Sequence, residues 1–242
     1  IDLANKLHYL TGLDQAFFCS TGGEANEAAV KLARLYANKL GYKNSNIITM
    51  HKAFHGRTMA NISSVSNDKL KAGFEPILPG FSYCDYNNIS ALEEAIKNND
   101  QVVAVMLEPV QGEGGINIPD PGYLKQVRKL CDDNNLLMIL DEVQTGAGRT
   151  GSLYAFQQED IMPDILTSAK GLGNGYPVAA CLAKSHVADL FTLGKHGTTF
   201  GGSPMACAVA NKVIDLVSKP DFLNHVISMG EYLKNKLLFK QI

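Results

Sequence analysis

Nearly continuous apolar runs of strand length recur along the chain at 46–50 (NIITM), 102–107 (VVAVML), 136–140 (LLMIL), 164–169 (DILTSA) and 178–183 (VAACLA). A strand that stays apolar without alternating is covered on both faces, as in a parallel sheet flanked by helices. Between these runs the spacing changes. Over residues 24–41, EANEAAVKLARLYANKLG, alanine and leucine recur every three or four positions, acids lead, bases trail and Gly41 stops the pattern, which predicts a helix. The same spacing predicts helices over 89–99, 122–135, 204–219 and 221–237, with Pro220 breaking the last two apart. Strands alternating with helices predict an α/β fold with a mainly parallel sheet. The break divides the chain into a large domain, 1–218, and the start of a smaller carboxyl-terminal one, 219–242.

Three predicted strands run directly into a charged residue: Glu108 after VVAVML, Asp141 after LLMIL and Lys170 after DILTSA. Ligands of open α/β sheets sit beyond the carboxyl ends of the parallel strands, so these three side chains are expected to converge on one crevice. Lys170 is followed by Gly171, Gly173 and Gly175. There it is either a solvated loop residue or, if desolvated, an amine whose lowered pKa makes it nucleophilic. Lysine and aspartate on neighbouring strands suit pyridoxal 5'-phosphate, whose aldehyde takes an amine and whose ring nitrogen needs an anion to stay protonated. Its phosphate needs backbone N–H groups at a helix start, and Thr21, Gly22 and Gly23 stand just before the helix of 24–41. A second glycine-flanked hydroxyl pair, Thr198 and Thr199, precedes the helix that begins near Pro204.

Composition narrows the function further. The 242 residues carry 22 Lys+Arg against 24 Asp+Glu with no basic stripe, which argues against nucleic acid and for small-molecule work. Five scattered cysteines with no CxxC argue against a disulfide framework or a zinc site and fit a reducing cytoplasm. No apolar run approaches the length of a membrane span. GAGRTG (146–151) matches G-x-G-x-x-G, yet DEVQT intervenes where a dinucleotide-binding turn should leave its strand. HKAFH (51–55) spaces two histidines one helical turn apart, but Lys52 stands where a zinc protease needs glutamate.

Six motifs, AFFCSTGGEANEAAVKLAR, FHGRT, LEPVQGEGG, LDEVQTGAGRTG, SAKGLGNGYP and HGTTFGGSPMAC, occur in an order that resembles the class III pyridoxal-phosphate aminotransferases over residues 2–238. The resemblance implies a type I fold in which 1–218 binds the cofactor. It implies Lys170 as the Schiff-base lysine and proton shuttle, Asp141 as partner of the ring nitrogen, and Gln144 as partner of the phenolic oxygen. By the same resemblance Gly22 and Gly23 hold the phosphate, Phe54 stacks on the ring, and Thr199 reaches the phosphate of a neighbouring subunit's cofactor in a homodimer. Arg57 and Thr198 match substrate-binding positions, and Glu108 and Glu113 match acids lining the site, Glu108 with a gating or orienting role. The implied reaction moves the terminal amino group of N-acetylornithine to 2-oxoglutarate, a step of arginine biosynthesis. Ornithine or 4-aminobutyrate as donor, and an inactive cofactor-binding fragment, are the alternatives. The chain departs from the family at Gly23, usually alanine, at Asn174, usually glycine, and at Ser203, usually asparagine. It also shows no candidate for the arginine that family members place in a carboxyl-terminal domain for the substrate's α-carboxylate.

Overall fold

The computed structural model describes residues 1–238. Seven strands, β1 (Gln15–Cys19), β2 (Asn46–Met50), β3 (Phe81–Cys84), β4 (Val102–Leu107), β5 (Leu137–Asp141), β6 (Ile165–Ser168) and β7 (Ala179–Ala183), form one sheet in the order β1-β7-β6-β5-β4-β2-β3. Neighbours pair in parallel from β3 to β6, while β7 runs antiparallel to both β6 and β1. The helices are α1 (Asp2–Thr11), α2 (Gly22–Lys39), α3 (Met59–Ser63), α4 (Ile89–Lys97), α5 (Tyr123–Asp133), α6 (Ser185–Ala188), α7 (Pro204–Val217) and α8 (Pro220–Leu238). The predicted α/β class and mainly parallel sheet are those observed.

Side chains alternate between two cores. On β5, Met138 and Leu140 join Leu3 and Leu7 of α1, Leu92 of α4, Val127 of α5 and Ile214 of α7 on one face. Leu137 and Ile139 point to the other face, against Ala29, Leu32 and Ala33 of α2. Alanine at these positions lets α2 lie close to the sheet, and that closeness sets where its first turn falls.

The helix start is closed locally. Thr21 caps α2 by accepting the N–H of Glu24 at 3.2 Å, and the Glu24 carboxylate reaches back to the N–H of Ser20 at 3.0 Å. This is the arrangement of a capping box displaced by one residue. The first intrahelical bond is Ala25 N–H to the Thr21 carbonyl at 3.1 Å, which leaves the amides of Gly22 and Gly23 ahead of the ladder.

The glycines of GAGRTG serve packing. A Cβ on Gly146 would lie 2.7 Å from the Glu142 carbonyl, and one on Gly151 would lie 2.5 Å from Ile227 of α8. Ser218 and Lys219 separate α7 from α8 at the expected break; residues 239–242 of the expected second domain lie outside the described residues.

Candidate active site

Because β1, β2, β4, β5 and β6 all run the same way, their carboxyl ends share one edge of the sheet, and antiparallel β7 begins there. The segments leaving those ends line a single cavity of about 420 Å³. Ser20 to Gly23 follow β1, Phe54 to Gly56 follow β2, Glu108 follows β4, and Asp141 closes β5 with Val143 and Gln144 behind it. Ala169 and Lys170 follow β6, and Gly175 to Val178 lead into β7.

Asp141 is buried, and each of its oxygens is engaged. Oδ2 lies 2.7 Å from His55 Nδ1 and accepts from Asn26 Nδ2 at 2.8 Å. Oδ1 accepts the N–H of Val143 at 3.1 Å, and the Thr167 Oγ1 lies 3.4 Å from it. Burial alone would lower the His55 pKa. The hydrogen bond and charge of Asp141, with the charge of Glu108, outweigh it and hold the imidazole above its ordinary value. Breaking a buried pair of this kind from one side costs about 3–5 kcal/mol, because the remaining charge is left uncompensated.

Glu108, buried between that pair and the cavity, accepts the N–H of Phe54 at 3.1 Å. Burial pushes its pKa up to about 7, with Asp141 adding to the rise and His55 opposing it. An unfolded carboxyl ionises from about 4.5 while the native one does not, so this group's contribution to stability is full below that value and is lost as pH rises through about 7. Glu108→Gln removes the ionisation, and its free energy of unfolding is expected to exceed that of the parent near pH 8, on the order of 3 kcal/mol at full effect, by an amount that shrinks towards pH 5. A pH-independent difference in calorimetry would contradict this account.

Glu142, fully buried beside Asp141, accepts the N–H of Ala155 at 2.7 Å, the N–H of Phe156 at 2.9 Å and the Thr145 hydroxyl at 2.9 Å. It pins the turn that carries Gln144. Burial raises its pKa to about 7 against those three donors. On the opposite side of that turn Gly112 leaves room for the end of the Gln144 side chain, which a Cβ there would displace.

Of the two readings of Lys170, solvated or desolvated, its exposed side chain fits the first. β6 ends at Ser168, and Lys170 opens a 3₁₀ turn at φ 39°, a left-handed conformation that L-residues rarely adopt and that marks functional sites. Nζ lies 3.4 Å from Gln144 Oε1. Asn174, where family members carry glycine, also sits at positive φ, 45°, which asparagine tolerates better than most residues. Gly173 is held by contact, since a Cβ would fall 2.0 Å from the Tyr176 carbonyl. A Cβ on Gly23 would meet Asn61 Nδ2 at an ordinary 3.4 Å, so alanine and glycine both fit there.

Gly22, Gly23, Phe54, Glu108, Asp141, Gln144 and Lys170 are thus brought together on one cavity. Arg57 is exposed outside it, its guanidinium 5.3 Å from the centroid of the Phe54 ring. Thr198 faces a separate groove with Glu24, Lys31 and His196, and Thr199 and Glu113 are exposed away from the cavity. Sequence reasoning missed Asn26, His55 and Glu142. Asn26 signals itself only as a polar residue inside the alanine stripe of α2, and His55 as the neighbour of Phe54.

The sequence profile described as aminotransferase class III matches residues 1–241. The chain belongs to the class III aminotransferases. Within the family it is 49% identical over 238 residues to an acetylornithine aminotransferase of Methanocaldococcus jannaschii, covering 98% of this chain and 59% of that protein. It is 47% identical over 238 residues to a succinylornithine transaminase of Photorhabdus laumondii, again covering 98% and 59%. The ornithine aminotransferase of Toxoplasma gondii, whose crystal structure shows partial occupancy of pyridoxal phosphate at its active site, superposes with a TM-score of 0.94 at 37% identity. That match covers 98% of this chain and 57% of the other. The chain therefore spans about three-fifths of the length of its relatives. Among the described residues no His/Cys/Asp/Glu group is arranged to hold a metal, and no helix is long and apolar enough to cross a membrane.

Proposed function

We propose that the cavity binds pyridoxal 5'-phosphate and that the chain carries the chemistry of an aminotransferase acting on N-acetylornithine, with 2-oxoglutarate as acceptor, in arginine biosynthesis. The observation that carries this reading is the placement of a buried carboxyl group, Asp141, and an exposed amine, Lys170, at and just beyond the ends of adjacent strands on one cavity. The residues fit the group. Two helix-start amides that precede the intrahelical ladder suit a phosphate, a carboxylate suits a ring nitrogen, and Phe54 offers an aromatic face.

When bound, the cofactor supplies an electrophilic carbon for an amine and a ring that delocalises the electron pair left by a departing proton. The chain supplies the rest. Gly22 and Gly23 hold the phosphate through their N–H groups and the positive end of α2. Asp141 keeps the ring nitrogen protonated, and Gln144 orients the phenolic oxygen. Lys170 Nζ would take the proton from the substrate carbon that bears the amine and deliver it to the carbon on the other side of that nitrogen, as a general base and then a general acid. Arg57, stacked on Phe54, offers a guanidinium for a substrate carboxylate, and Glu108 lines the approach.

Exposed Thr199 and Phe200 support a homodimer in which this loop serves the neighbouring copy. Residues 219–242 would open the second domain. The acyl-ornithine names of the two sequence relatives favour N-acetylornithine over unmodified ornithine or 4-aminobutyrate. The test is a half-reaction. The chain loaded with pyridoxal phosphate is expected to lose its yellow colour on addition of N-acetylornithine, faster than with ornithine or 4-aminobutyrate. Retained colour with all three would overturn the assignment.

A further inference from the structure

Two polar side chains beside Asp141 have no part in the account above. Asn26 Nδ2 bridges Asp141 Oδ2 at 2.8 Å and the His55 carbonyl at 2.7 Å, and its own Oδ1 accepts the Thr167 hydroxyl at 2.7 Å. Carbonyl and carboxylate are both acceptors, so they hold the NH₂ towards them and leave Oδ1 to the hydroxyl. His55 is wholly buried, its Nδ1 on Asp141 and its Nε2 without a hydrogen-bond partner among the described residues. A polar atom left unpaired in a protein interior is destabilising unless some other interaction compensates. Here the other ring nitrogen is committed to the carboxylate on which the proposed reading depends. The unit joins three distant stretches of chain: α2 through Asn26, the segment after β2 through His55, and paired positions on β5 and β6 through Asp141 and Thr167.

Resting on that reading, we propose that His55, braced by Asn26 and Thr167, is the positioning residue that fixes the orientation and charge of the Asp141 carboxylate for the ring bound in the cavity. The geometry explains why Asp141 needs such a device. Three donors, from Asn26, His55 and Val143, reach its two oxygens, and of these only the imidazole can add a full positive charge to offset a buried anion. The charged groups facing the imidazole are Asp141 and Glu108, both acidic, and both favour its protonated form.

The experiment is a double-mutant cycle on affinity for pyridoxal 5'-phosphate, read by absorbance titration of the chain. His55→Ala is expected to weaken binding about tenfold, whereas in the Asp141→Asn background the same change moves affinity less than about twofold, because the partner charge is gone. His55→Asn places a neutral amide donor where Nδ1 sits and is expected to recover only part of the loss, because it restores the hydrogen bond without the charge; full recovery would limit the role of His55 to orientation and overturn the charge half of the inference. Equal losses in both backgrounds would make His55 merely structural and overturn the inference. If Asp141→Asn binds less tightly but His55→Ala binds as the parent does, the inference alone fails. If no variant differs from the parent, the reading of the cavity fails with it. Should His55→Ala not fold, nitrogen-15 NMR of the unsubstituted loaded chain decides. A ring that stays protonated on Nδ1 from about pH 6 to 8 supports the inference, and one titrating as a free histidine near about 6.5 overturns it.

Discussion

Lys170→Ala is expected to lose at least about a thousandfold in turnover, in line with removal of a positioned general acid and base. The fold should be little affected, because the side chain is exposed and its one hydrogen bond, to Gln144 at 3.4 Å, is long. Stability should therefore change by no more than about 0.5 kcal/mol. The strained backbone at φ 39° is shared by lysine and alanine, since both carry a Cβ, so the comparison isolates the amine. Single-turnover kinetics with N-acetylornithine, beside a denaturant titration, measures both quantities. Turnover within tenfold of the parent would remove Lys170 from the proton transfer.

Asp141→Asn is the second large effect. A carboxylate at ion-pair distance from a cation is worth on the order of 4 kcal/mol at an effective dielectric of about 20, which corresponds to about three pKa units on the ring nitrogen. Replacing it with an amide is expected to cost between about a hundredfold and a thousandfold in turnover while saturation with excess cofactor is still reached. The amide keeps the shape, but its NH₂ would oppose a donor, either Asn26 Nδ2 and His55 or the Val143 amide. Some loss of affinity therefore accompanies the loss of rate. A variant that turns over at near-normal rates would defeat the role given to Asp141.

The parts of the fold that were legible in the sequence are those buried on both sides. β4, β5 and β6 are apolar throughout because helices cover both faces, and the residues that close or follow them, Glu108, Asp141 and Lys170, stood out as charges after apolar runs. The glycine turn before α2 was readable for a similar reason, since a helix start has its own chemistry. β1 and β3 were missed because they lie at the two sheet edges and are only half buried, so QAFFC and FSYC show neither a full apolar run nor a clean alternation. α1 was missed because it is short and has no capping side chain at its start, although Leu3, Leu7 and Leu10 recur at helical spacing.

The site was legible where chemistry follows a strand end and illegible where it depends on packing at a distance. Asn26 and Asp141 are 115 positions apart and meet only because alanines let α2 settle onto the sheet. Nothing near His55 in the chain says that its ring turns inward while His51, one helical turn earlier, stays exposed. Arg57, Thr198 and Thr199 show the converse. They stand in recognisable motifs, yet the single chain leaves them outside the cavity.

The central claim is that one amine, at the end of β6, joins the cofactor. Borohydride reduction of the chain mixed with pyridoxal 5'-phosphate, followed by digestion and mass spectrometry of the labelled peptides, tests it directly. The mass of the reduced cofactor should appear on the peptide containing Lys170; its appearance on another lysine, or on none, would contradict the account.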